Sequence, residues 1–157
     1  MRSLTVVGNR SSAASYAAGQ EQAPRALRAA GLVDALRGAP REVLDAGDSP
    51  MQVWRPDRAQ PFVQNLFDVV ENLTFLRTRL AEILSSDTDV LVVGGNCTGA
   101  LACCAALRDA TDVMPAVLYF DRHLDCNTAA STTDGALDWE WRTRSTFPPR
   151  RVLWSSA

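Results

Sequence analysis

The stretch Val90-Leu91-Val92-Val93-Gly94-Gly95-Asn96-Cys97-Thr98 decides the fold class. Its first four residues form an uninterrupted apolar run with turn residues on both sides, the pattern of a parallel strand buried on both faces. The glycines end the strand. Downstream, the spacing predicts a helix of small residues over roughly 98–110, then a second buried strand, Val117-Leu118-Tyr119-Phe120, delivering Asp121 at its end. Upstream, Val63, Leu66, Val70, Leu73, Leu76, Leu80 and Leu84 recur at intervals of three and four. That is one apolar stripe on a long helix of about 24 residues starting at Pro61.

Nearer the N-terminus the same alternation holds. Residues 4–7 read as a first strand, and a Ser/Ala/Gly-rich loop runs from Ser11 to Gln22. Pro24-Arg25-Ala26-Leu27-Arg28 then opens a helix expected over about 24–37, and Glu42-Val43-Leu44-Asp45 reads as a short strand. Pro50, Pro56 and Pro61 mark the Asp48-to-Gln60 region as an irregular connection. Strands alternating with helices imply an α/β fold, three-layered α/β/α around a mostly parallel sheet. Ligands then bind outside the carboxyl ends of the strands.

Composition limits the function classes. At 157 residues, 46% apolar and 22% charged, the chain can bury a core as one domain, and no apolar run approaches the roughly 20 residues of a membrane span. A net charge of −2 without a basic patch argues against nucleic acid and membrane surfaces as partners. The N-terminus carries too short an apolar stretch for a signal-peptide core. Cys97, Cys103, Cys104 and Cys126 lack the spacing of a zinc module or a disulfide framework, so a reducing cytoplasm is the expected location. Cys103 and Cys104, on an Ala-rich helix, read as small core residues.

The chemistry concentrates in Asp121-Arg122-His123-Leu124-Asp125. Asp121, His123 and Asp125 alternate along an extended segment and so leave the backbone on one side. Two carboxylates and an imidazole suit a divalent ion such as Mn, Fe or Zn. A bland account has Asp121 capping a loop, His123 on the surface and Asp125 opening an Asx-turn. At the mouth of a buried strand, however, neighbouring carboxylates repel one another unless a cation holds them. Two other readings of the strand ends stay open: a phosphate cradle at Gly94–Gly99, which lacks the standard glycine spacings, and a cysteine–histidine nucleophile pair, Cys97 with His123.

Three segments in order carry a resemblance: Gly94-Gly95-Asn96-Cys97-Thr98, then Asp121-Arg122-His123-Leu124-Asp125-Cys126-Asn127, then Ser131-Thr132-Thr133-Asp134-Gly135-Ala136-Leu137-Asp138. Together they resemble the arginase/agmatinase (ureohydrolase) family, whose motifs read GGDHS, DAHxDxN and a Ser/Gly-rich substrate loop. The resemblance covers about residues 1–139. It implies a manganese-dependent hydrolase of linear C–N bonds in guanidino substrates, commonly assembled as a homo-oligomer. Asp121, His123, Asp125 and Cys97 would be the metal ligands, Asp121 bridging two ions. Asp125 and Asp138 would stand at the reacting atoms, and Asn127 and Asp134 would bind substrate. Paired cations lower the pKa of bound water and neutralise charge developing on a carbon that is otherwise a poor electrophile.

Departures from the family pattern are specific. Cys97 stands where the family has its first metal-ligand histidine, Asn96 replaces an aspartate, Arg122 replaces a small residue, and Asp138 falls where arginases carry a histidine. The family's remaining aspartate ligands come from strands that have no counterpart here. Residues 1–139 carry twelve Arg against seventeen acidic residues, whereas residues 140–157 carry four Arg against Glu140 alone. All sixteen basic residues are Arg and Ile83 is the one isoleucine, a bias that fits a GC-rich gene. The tail therefore reads as a frameshift product, with an authentic basic tail as the alternative. The expectation is a truncated family member holding one metal ion or none. A non-catalytic metal-binding or structural remnant is the rival reading.

Overall fold

A computed structural model describes residues 2–121. Three strands, β1 (Ser3–Gly8), β2 (Val43–Asp48) and β3 (Thr88–Val93), form a parallel sheet in the order β2-β1-β3. Parallel neighbours cannot be joined by a tight turn, so each connection crosses the sheet through helices. The first crossover holds α1 (Ala23–Ala29) and α2 (Leu32–Arg37), the second holds α3 (Leu66–Leu84), and α4 (Gly99–Thr111) follows β3.

Alternation along the strands sends side chains to two separate cores. On one face Val7 meets Leu76 and Leu80 of α3 and Ala102 and Ala106 of α4, with Val90 and Val92 packed alongside. On the other, Val6, Val43 and Val93 are buried together beneath Leu32 and Leu36 of α2. Helices thus cover both faces of a parallel sheet, the three-layer α/β/α arrangement expected from the sequence. Leu76 and Leu80 are almost wholly enclosed, and burying each contributes about 1.5–3 kcal/mol. The small residues of α4 let it lie close to α3. Cys103 packs into this cluster as a small apolar residue, and burial pushes its thiol up to about 11.

Five local expectations change. The helix expected over 24–37 divides into α1 and α2 at Gly31, whose φ of 87° breaks the hydrogen-bond ladder and turns Leu32 and Leu36 onto the sheet. The long helix begins at Leu66, not Pro61, because Asn65 takes a left-handed φ of 55° and Asp57 ties down the preceding turns by accepting from the Gln60 and Asn65 N–H groups. Its buried stripe runs Val69, Asn72, Leu76, Leu80, so Leu66 and Val70 face outward and a polar residue sits in the stripe. The short strand expected at 42–45 extends through Asp48. Val117–Phe120 forms no strand: among the described residues no backbone pairs with it, and Leu118 and Phe120 are 87% and 92% exposed.

The strand order positions a site. The chain leaves β1 for the helices of the first crossover on one face and leaves β3 for α4 on the other, which makes the ends of these adjacent strands a topological switch point. Such a switch point is where parallel α/β sheets bind ligands. No helix among the described residues is long and apolar enough to cross a membrane.

Candidate active site at the strand ends

The loop after β3 is held by steric fit as much as by hydrogen bonds. Gly94 and Gly95 both have positive φ, 78° and 76°. A Cβ on Gly94 would lie 2.5 Å from Pro24 Cδ, and one on Gly95 would lie 2.5 Å from Asn9 Cγ. Gly99, at the start of α4, has the same relation to Asn9, whose Nδ2 would be 2.7 Å from its Cβ. Glycine therefore meets two needs here, a left-handed turn and close approach of backbone to side chain.

Asn9 is the seat beneath this loop. It is buried at the end of β1, its N–H donates to the Val93 carbonyl at 2.9 Å, and its Oδ1 accepts from Asn72 Nδ2 at 3.1 Å. Asn72 comes from the buried stripe of α3, which explains the polar residue there. Above the seat, the Asn96 N–H donates to the Ser11 carbonyl at 3.1 Å, and the Thr98 hydroxyl donates to Asn96 Oδ1. Successive bonds from Gly99, Ala100 and Leu101 to Asn96, Cys97 and Thr98 lead into α4. The result is a fixed bend with Cys97 at its outer side.

Cys97 and Asp121, distant in sequence, meet at this bend. The Cys97 thiol lies 4.0 Å from Asp121 Oδ2, and the Tyr119 hydroxyl donates to the same oxygen at 3.3 Å. The pair passes a simple test as donors to one ion. A sulfur at about 2.3 Å and a carboxylate oxygen at about 2.1 Å from a tetrahedral centre stand about 3.6 Å apart, close to the separation found. Among the described residues no group of three or more His, Cys, Asp and Glu side chains gathers to hold a metal. His123, Asp125, Asn127, Asp134 and Asp138 lie outside the described residues, as does the 140–157 tail.

The neighbouring charges are committed elsewhere. Arg28 of α1 grips both carboxylate oxygens of Asp45 at 2.8 Å and reaches Asp48 at 2.5 Å. The Asp45 hydrogen bond, with help from Asp48 and against the cost of burial, raises the guanidinium pKa, while Arg28 holds Asp45 below the usual carboxylate range. Glu21 is buried in the loop before α1 and accepts from the Gly19 N–H at 2.7 Å. Burial alone would raise its pKa, but hydrogen bonds from Ser12, Gly19 and Gln22 outweigh it and the net shift is downward. These contacts fasten α1 to β2 and brace the loop before it.

Sequence reasoning singled out Cys97 and Asp121 and missed Asn9, Asn72 and Tyr119. A signal existed for Asn72, a polar residue at an apolar position of a helix. None existed for Asn9, whose value depends on glycines far along the chain.

Comparison with known proteins agrees with this architecture. A model of the arginase family matches residues 2–138. Arginase-1 of Homo sapiens is 30% identical over 138 residues, covering 87% of this chain and 42% of that protein, and arginase-1 of Sus scrofa is 31% identical over the same length. The chain thus spans less than half the length of these relatives. Among solved structures, an arginase from Bacillus subtilis superposes with a TM-score of 0.74 at 24% identity, covering 88% of this chain and 46% of that one. An Entamoeba histolytica arginase in complex with L-ornithine gives 0.75 at 21% identity, covering 89% and 49%. These likenesses fit the parallel sheet with helices on both faces, and the chain belongs to the arginase family.

Proposed function

We propose that this chain carries part of the metal centre of a hydrolase that cleaves a linear C–N bond in a guanidino substrate. The observation that carries the reading is the meeting of Cys97 and Asp121 at the switch point, 4.0 Å apart across the ends of β3 and the segment after α4. Family membership supports it, since the relatives that match are arginases. Manganese is the ion the family resemblance implies. Asp121 and Cys97 would hold an ion together with His123 and Asp125. Divalent cations at such a centre acidify bound water and offset negative charge developing on the substrate.

The chain's own residues would then divide the work. Tyr119 orients Asp121 through their hydrogen bond. Asn9 and Asn72 hold the loop that presents Cys97. Asn127 and Asp134 would bind the substrate, with Asp125 and Asp138 beside the reacting carbon. The ornithine bound to one structural neighbour supports a substrate with an amino-acid end. Homo-oligomerisation and a cytoplasmic location belong to the same reading and follow from resemblance alone.

The test pairs elemental analysis of the purified 157-residue chain with an assay for urea release from guanidino compounds in added Mn. Bound metal that is lost in Asp121→Ala supports the centre, and turnover supports the reaction. Absence of both metal and turnover refutes the reading.

A further inference from the structure

We propose that Cys97 turns this centre from a manganese site into one selective for a borderline-soft ion, zinc in the first instance. The inference rests on the metal-site reading above and goes beyond it by naming the residue that selects the ion. Manganese suits carboxylate, carbonyl and water ligands, whereas thiolate ligands favour zinc. The family motif supplies a histidine at this position; here a sulfur stands 4.0 Å from Asp121 Oδ2.

Three observations make Cys97 a placed donor. First, the bend that carries it has little freedom, because Gly94 and Gly95 are backed against Pro24 and Asn9, and Asn96 is bonded to the Ser11 carbonyl. Second, Cys97 is half-buried, so it can exchange a proton with solvent. Third, the other described cysteines are placed differently: Cys103 and Cys104 sit on α4 and Cys103 packs into the hydrophobic core. Binding would replace the Cys97 S–H bond by a sulfur–metal bond and release that proton to solvent.

Zinc outcompetes manganese at almost any site of nitrogen, oxygen and sulfur donors, so the diagnostic quantity is how far the zinc-to-manganese affinity ratio depends on Cys97. Titrations of zinc and manganese salts into the full chain, Cys97→Ser and Cys97→His give that ratio. Cobalt(II) added to the unmutated chain reports sulfur ligation directly through its thiolate charge-transfer absorption, independently of any variant's folding. The ratio is expected to fall on the order of 10- to 100-fold in Cys97→Ser, the range seen when the surroundings of a metal site are disturbed. Cobalt absorption by the unmutated chain and a relative gain for manganese in Cys97→His complete the expected result. A ratio unchanged within about threefold, or cobalt bound without thiolate absorption, overturns the inference while leaving the centre standing. Failure to bind any of the three metals overturns both.

Discussion

Replacing Gly95 by Ala tests whether the Asn9 seat shapes the loop that carries Cys97. Two costs are separable. A non-glycine residue at φ 76° costs about 1–2 kcal/mol in backbone strain. The new methyl also collides with the Asn9 side chain, which must move and give up its bond to Asn72. Losing that bond costs about 1 kcal/mol and the crowding about another 1–2, so Gly95→Ala should destabilise by about 3–5 kcal/mol in total. Asn9→Ala alone strands the Asn72 amide, a loss of about 1–3 kcal/mol. In the double variant the clash with the amide is gone and only a 3.1 Å approach to the Cβ of residue 9 remains, so Gly95→Ala should then cost little beyond its backbone strain. Urea unfolding of the four proteins, with equal m-values as the check on two-state behaviour, should give a coupling of about 2–3 kcal/mol. Additivity within about 0.5 kcal/mol would refute the claim that Asn9 and the glycines form one device.

Two further outcomes follow from the site and its surroundings. Tyr119→Phe should weaken metal binding by about tenfold by freeing the Asp121 carboxylate to turn. It should leave stability within about 0.5 kcal/mol because Tyr119 is partly exposed; equal metal affinity in titration would refute the orienting role. The folded-state pKa of Asp45 is depressed by Arg28, so its contribution is fully present above the unfolded value of about 3.9 and is lost as pH falls through the lower folded value. Asp45→Asn should therefore flatten the fall in stability below about pH 4, measured as the urea midpoint from pH 2 to 7, and an unchanged slope would count against it.

How far the sequence spoke for the structure depended on whether a signal was local. The runs at Leu4–Val7 and Val90–Val93, and the Ala-rich segment after Thr98, marked β1, β3 and α4 because burial on both strand faces, or close helix packing, leaves a continuous pattern. Gly31 escaped as a breakpoint because one glycine inside a helical pattern is often tolerated. In α3 the expected Leu73, Leu76, Leu80 and Leu84 do pack into the core, but nearer its start Val69 and Asn72 are buried in place of Leu66 and Val70, because an apolar count passes over the buried Asn72. Val117–Phe120 has every local feature of a strand and lacks, among the described residues, the partner that would make it one. At the site, Cys97 and Asp121 were readable from their places after apolar runs. Asn9 was not, since its role exists only once β1, α3 and the β3 loop have come together.

That last dependence bears on how the protein folds. The contact that seats the loop joins Asn9 to Asn72 across 63 positions of chain, and the loop's glycines back onto Asn9 after β1 and onto Pro24 in the first crossover, both far from them in sequence. Each such closure must be completed before any of them stabilises the bend, an entropic cost that slows folding. The loop presenting Cys97 is thus expected to take its shape late, after the sheet has aligned. A collapsed intermediate would offer metal ions scattered thiols and carboxylates, and the selective arrangement would arrive only with the native fold.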